Sequence, residues 1–287
     1  MDFDLKALQS KELLILKEVK RICEKHNIDY FLCFGTLLGA VRHKGFIPWD
    51  DDIDIAMTYN NLIKFRAVCK NELGNDFFLQ NEITEPNAGL TFDKVRMNNT
   101  TLIAKNMARR DMHHGIDIDI YPLFNVPDGA FKRNLQLMAS AMYMLLVVGE
   151  KPSKVSKPIG IFSSIVLFVF RGRLKTMIKK ICHQYMAKFE KHNCKKKAFL
   201  CCNLRVCKRL HDSEFFNKFE KNQFEDDEFL VPKDYDSLLK SWYGDYMKLP
   251  PVEDQQAKLD NISFVDIENS YLKYKGIHYN RDTNLIQ

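Results

Sequence analysis

The sequence predicts an α/β chain, in the broader α+β sense: a mixed sheet core flanked by helices, with a basic helical insertion and a C-terminal helical segment. Three observations carry this. Residues 52–55 and 116–120 each alternate aspartate with isoleucine, the two-residue period of a strand with one polar and one buried face. Leu8, Ile15, Val19 and Ile22 recur at helical spacing near the start of the chain. Residues 131–209 read as helical, and they are strongly basic.

Taken in order, a helix over residues 5–26 precedes a mostly apolar run, 28–34, that reads as a buried strand. Gly35 and Thr36 mark a turn, 37–42 suits a short helix, and 43–49 is a loop. A strand is expected over 51–57 and a helix from 60 to about 73. Further strands are expected at 77–80, 90–97, 101–104 and 115–121, the last ended by Pro122, with Pro127, Asp128 and Gly129 closing the region. Apolar segments at 135–148 and 159–170 lie within the helical stretch. From Asp212 onward aromatic and acidic residues return, until Leu249-Pro250-Pro251 stops regular structure. The chain thus divides into a catalytic core, 1–128, a basic helical region, 129–211, and a C-terminal segment, 212–287, expected to pack on the core.

The chemistry is concentrated at Asp50, Asp51, Asp52 and Asp54. On a strand, Asp50, Asp52 and Asp54 share an edge while Ile53 and Ile55 enter the core. Carboxylates this close raise one another's pKa unless a cation neutralises them. Mg²⁺, or Mn²⁺, takes such oxygen ligands together with substrate phosphates. Asp51 faces away in this scheme. A solvated aspartate-rich turn after Pro48 is the competing reading; the second acidic strand, with Asp119, weighs against it.

Residues 151–210 hold 16 Lys or Arg and one acid, Glu190, a net +15, whereas the rest of the chain is −9. The apolar run 159–170 is 12 residues long, short of the roughly 20 that span a bilayer as a helix. No secretory signal is visible, and the eight cysteines lack a disulfide-framework context, so a reducing cytoplasm is the expectation. Basic residues around 159–170 suit a segment lying on an anionic membrane surface, at the inner face of the cell membrane. No nucleic-acid-binding module is recognisable, so no nucleic-acid partner is expected.

The runs from Gly35 to Arg42 and Trp49 to Asp54 closely resemble the LicD family of phosphotransferases, relatives of the fukutin proteins. So do Ile118-Asp119-Ile120-Tyr121-Pro122-Leu123, Val231-Pro232-Lys233-Asp234-Tyr235 and the stretch from Tyr243 to Pro251, in family order. The resemblance implies a nucleotidyltransferase-like fold, with Gly35 and Thr36 near the nucleotide phosphates. It implies Asp52 and Asp54 as the paired catalytic, metal-holding acids, Asp119 as the third, and Asp50 as an extra ligand. It further implies transfer of phosphocholine, or a related alcohol phosphate, from CDP-choline or another CDP-alcohol to a glycan acceptor, with a lipid-linked glycan in view. Nucleotidyl transfer to a small phosphate or sugar, and a non-catalytic membrane adaptor, are the alternatives.

Arg42, Lys94 and Arg96 are candidate phosphate clamps, Arg through bidentate contacts. His113 and His114, and Trp49 and Tyr121 flanking the acids, read more simply as structural groups. Cys194, Cys201, Cys202 and Cys207 with His192 and His211 have irregular spacing for zinc, which is not expected there.

Overall fold

Helix α1 (Leu5–Lys25) forms because its Leu8, Ile15, Val19 and Ile22 stripe is wholly buried, and the Asp4 carboxylate caps it by accepting the Lys6 N–H. The computed structural model describes residues 4–152, 155–256 and 261–280. After α1 come β1 (Phe31–Leu32), α2 (Phe34–Arg42), β2 (Asp54–Thr58), α3 (Tyr59–Glu72), β3 (Phe77–Gln80), β4 (Asp93–Met97), β5 (Thr101–Ala104) and β6 (Asp117–Val126). Helices α4 (Ala130–Val148), α5 (Lys157–Val169) and α6 (Gly172–Met186) make up the basic stretch. Then follow β7 (Lys196–Ala198), α7 (Leu204–Cys207), β8 (His211–Asp212), β9 (Phe219–Phe224), β10 (Asp227–Pro232), α8 (Tyr235–Tyr243) and β11 (Ile262–Asp266).

The main sheet runs β1-β2-β6-β4-β3, with β2 parallel to β6 and the other pairs antiparallel. Strand β7 pairs with the far end of β6, and β8 with β7. Two smaller pairs, β9-β10 and β5-β11, lie apart from this sheet. Helices α1 and α3 pack on β6, α1 reaching β4 and α3 reaching β2. Ile55, Val95, Ile118 and Ile120 are buried in the main core, which α8 joins through Leu238, Leu239 and Trp242. A second core unites Phe124 and Val126 of β6 with Tyr143 and Val147 of α4 and Met186 of α6.

The mixed α/β class expected from the alternating acidic segments is the class observed, and β3 and β5 have the expected bounds. Strand β4 starts at Asp93 rather than 90, and three further differences bear on the site. The expected strand 28–34 shrinks to two residues, because Phe34 turns to φ 47° and already starts α2. This left-handed geometry is costly for a bulky residue. It is held by packing against Tyr121, Phe199 and Trp242, at ring-centroid distances of 5.3, 4.9 and 5.1 Å. Strand β2 begins at Asp54 rather than 51, so Asp50, Asp51 and Asp52 belong to the preceding loop. Strand β6 runs through Pro122 to Val126. Asp119 donates its N–H to Ile53 on the β2 side, so alternation turns the Pro122 nitrogen to the opposite edge. There β4 has ended opposite Ile120 and β7 begins only opposite Phe124, so the missing donor costs no ladder bond.

His113 and His114 are buried structural groups. His113 Nδ1 accepts the Gly115 N–H and Nε2 meets Asn98 Oδ1, so the ring is the neutral Nε2–H tautomer. Burial pulls it down to about 3, and His114 to about 4. All eight cysteines are unbridged, and among the described residues the Cys194–Cys207 group does not assemble ligand geometry.

The loop before β2 rests on Gly39 of α2, where an added Cβ would lie 2.5 Å from the Gly45 carbonyl oxygen. That oxygen and the Ile47 nitrogen, 3.3 Å from the added Cβ, are both backbone atoms, so the loop would have to move. Gly39→Ala is expected to destabilise the chain by roughly 1–3 kcal/mol, and Gly129→Ala, with open space around it, by much less. Urea unfolding of the two variants measures the contrast, and equal midpoints would refute it.

Candidate active site

The acidic loop is positioned by contacts from far along the chain. Gln9 Nε2 donates to the Asp50 carbonyl at 2.9 Å. Glu225, at the β9-β10 turn, accepts the Phe46 N–H at 2.9 Å and donates its own N–H to Lys44 at 2.8 Å. Gly35 lies so close to Asp50 that a Cβ there would be 2.8 Å from Oδ2. The carboxylates of Asp50, Asp51 and Asp52 thereby converge, with one oxygen of each within 4.8 Å of the others. Asp51, expected to face away, is part of this group, because the segment is loop and strand alternation does not apply.

Asp54 and Asp119 are register partners on the parallel strands β2 and β6. The Asp54 N–H donates to Thr36 Oγ1 at 2.8 Å, fixing the first turn of α2 to the start of β2. The Asp54 side chain is buried, and its Oδ1 has no hydrogen-bond partner. Asp119 is bracketed by the Lys94 ammonium and by Tyr121, whose hydroxyl donates to Oδ2 at 3.0 Å. Lys94 lies opposite Asp119 in the antiparallel β4-β6 register and also pairs with Asp117 at 2.5 Å.

Of the expected phosphate clamps, Lys94 is thus held between two carboxylates. Arg96 is buried and committed to Gln80, the Gly115 carbonyl and Asp117. Arg42 donates to the Tyr246 carbonyl at 2.8 Å, tying α2 to the segment after α8. Neither arginine is directed outward as a free clamp in this arrangement.

Sequence reasoning missed Glu12. It lies within the α1 stripe, between Leu8 and Ile15, at a position where a core residue belongs, and it is buried with Oε2 unpartnered. An acid interrupting an apolar stripe is the signal that marks it. Glu12 lines a cavity of about 540 Å³ with Asp51, Asp52, Lys94 and Asp119, and Leu90 forms part of its apolar side. Asp117, the other acid missed, is the counter-ion for both Lys94 and Arg96.

Burial pushes Glu12 and Asp54 well above the carboxylate range, and the neighbouring Asp52 charge adds to both. Burial and Asp51 bring Asp50 to about 6. Crowding by protein atoms, then Asp50, Asp119 and Asp51, raises Asp52, although its side chain opens to solvent. Burial also raises Asp119, more than Lys94 lowers it. Asp117 is the exception: burial raises it, but Arg96 and Lys94 outweigh that and hold it low. Hard oxygen donors, two orphaned buried carboxylate oxygens and mutual repulsion are what a divalent cation would relieve, so the donor set fits Mg²⁺ or Mn²⁺.

Carboxyls with raised folded pKa values stabilise the fold at low pH and lose that contribution as pH rises through those values. The buried histidines offset only part of this loss: they are neutral when folded, while an unfolded histidine is about half protonated at pH 6.5 and neutral by pH 8. In chelator, stability is therefore expected to fall by roughly 1–3 kcal/mol from pH 6.5 to 8, mostly from Glu12 and Asp54. Urea unfolding across that range is the measurement, and a flat or rising profile would contradict it.

Residues 27–141 match the family model described as LicD/FKTN/FKRP, nucleotidyltransferase domain. The match takes in α2, the acidic loop, β2 and β6, hence every carboxylate of the site except Glu12. The chain is 29% identical over 251 residues, 85% of its length and 91% of its relative's, to the lipopolysaccharide cholinephosphotransferase LicD of Haemophilus influenzae. Uncharacterized proteins of Rickettsia typhi and Rickettsia prowazekii are 44% and 43% identical over 63 residues, 22% of this chain and 20% and 23% of theirs. The nucleotidyltransferase-domain match over residues 27–141, the relative aligned over most of both chains and the acid-bearing strand pair agree in making the chain similar to the LicD family.

Proposed function

We propose that this chain transfers phosphocholine, or a related alcohol phosphate, from a CDP-activated donor to a sugar of a cell-surface glycan, with lipopolysaccharide the foremost acceptor class. The observation that carries the reading is the pairing of Asp54 with Asp119 across β2 and β6, beside the converging Asp50–Asp52 loop. The acceptor class and the transferred group rest on the relative named a lipopolysaccharide cholinephosphotransferase.

In this reading Asp52, Asp54 and Asp119, with Asp50 as auxiliary, hold Mg²⁺ or Mn²⁺. The ion supplies neutralisation of the donor pyrophosphate and of charge developing at the attacked phosphorus. Thr36 and Gly35 keep α2 against the acids, and the absence of a Gly35 side chain leaves room for Asp50. Lys94 stabilises the anionic form of Asp119 while Tyr121 orients its second oxygen. Asp119 is thereby aimed to accept the proton of the attacking sugar hydroxyl. The bond to the choline-bearing phosphorus forms as the bond to CMP breaks, so CMP is the leaving group.

Purified protein supplied with CDP-choline, Mg²⁺ and a glycan acceptor is expected to release CMP. Asp52→Ala and Asp54→Ala should each slow this by about a thousandfold. Wild-type turnover in both variants would sink the assignment, and release of pyrophosphate instead of CMP would replace it with nucleotidyl transfer. Asp54→Asn keeps the shape of the side chain while removing a buried ionisable carboxyl. It is expected to raise the stability of the metal-free chain at pH 8 by roughly 1–2 kcal/mol while losing activity, the trade expected of a strained catalytic group.

A further inference from the structure

Helix α5 turns its apolar residues outward. Among its residues Ser163 and Val166 are buried, whereas Ile161, Phe162 and Phe168 are 63%, 60% and 68% exposed, with Ile159, Ile165 and Val169 also open. A helix so apolar normally lies in a protein core or a membrane. Its 13 residues measure about 20 Å, short of the ~30 Å hydrocarbon core of a bilayer. Among the described residues no helix is long and apolar enough to cross a membrane. Nor does the helix ask for water through its serines: Ser163 and Ser164 donate to the Ile159 and Gly160 carbonyls of the same helix.

The neighbouring helix continues the surface. Leu174, Met177 and Ile181 of α6 are exposed at spacings that share one face. The charge contributed by this segment has one sign, and Glu82 from outside it pairs with Lys179 of α6. Residues 151–189 contain nine Lys or Arg and no Asp or Glu. Arg171, between the two helices, holds its guanidinium 4.7 Å from the Phe168 ring centroid, a cation at the margin of the apolar patch. An apolar face with a predominantly basic margin complements an anionic lipid leaflet: rings and aliphatic chains enter the acyl boundary while the cations meet the headgroups. A second copy of the chain is a poorer occupant, because the same surplus of positive charge would face itself.

We propose that α5 and the outer face of α6 form a membrane-docking surface that inserts into one leaflet rich in anionic lipid, without spanning it. The inference goes beyond the catalytic reading and is tested independently of catalysis.

The test is co-flotation of the full chain with vesicles of phosphatidylcholine alone and with about a third phosphatidylglycerol. Binding is expected only to the anionic vesicles and should weaken as salt rises. Phe162→Asp with Phe168→Asp, and separately Arg171→Glu with Arg173→Glu and Lys180→Glu, should each reduce it at least about tenfold. Because these side chains are exposed, both variants should keep the wild-type melting temperature. Equal flotation with both vesicle types, or full binding by either variant, would overturn the proposal. So would sedimentation equilibrium showing a dimer that the double Phe variant dissolves, with no vesicle binding by the wild type.

Discussion

The structure depends on keeping several carboxylates close together against their mutual repulsion. Asp54 and Asp119 are fixed by the parallel register of β2 and β6, which cannot slip by one residue without turning Ile55 and Ile120 out of the core. Asp50, Asp51 and Asp52 are fixed differently, by a loop held at its carbonyls and amides by Gln9, Gly39 and Glu225. The energy that holds the acids together comes from apolar burial around them, notably the isoleucines and the Phe34, Tyr121, Phe199 and Trp242 cluster.

The cations within the cluster are used economically. Lys94 stands between Asp117 and Asp119, and Arg96 serves Asp117 from a buried position. Burial pulls the Lys94 ammonium down, but the two aspartates outweigh this and keep it charged. This leaves Glu12, Asp50, Asp52 and Asp54 without a paired cation among the described residues. The imbalance explains why their pKa values rise while that of Asp117 falls.

Much of this was legible in the sequence where the pattern is local. The alternation at Asp117, Ile118, Asp119 and Ile120 reports the faces of β6, and the Leu8 to Ile22 stripe reports α1. What was not legible depends on partners distant in sequence. Pro122 looks like a strand stop, yet it sits inside β6 because that edge has a gap between two neighbouring strands. Asp51 looked like a spectator because β2 was expected to start too early, and no local signal reveals that Glu225, more than 170 residues away, shapes the loop. Lys94 and Arg96 were visible as charges, but their pairing with Asp119 and Asp117 follows from a register that composition does not encode. Glu12 could have been found, since an acid within an apolar stripe is itself an anomaly.

The same reasoning separates the two charged regions of the chain. A pyrophosphate donor approaching Asp50, Asp52, Asp54 and Asp119 meets negative charge, so in our reading the positive charge that binds it must be brought in as a divalent ion. The α5 and α6 stretch has positive charge built in and no acid of its own, with only Lys179, among the described residues, paired to an outside carboxylate, Glu82, so an anionic surface needs no imported ion to approach it. Moving a basic residue from α6 into the acid cluster would relieve repulsion, but it would also fill the place of the proposed ion. A site proposed to admit a cation has to remain under-neutralised, and the isoleucine and aromatic packing around β2 and β6 is what allows this one to stay so while folded.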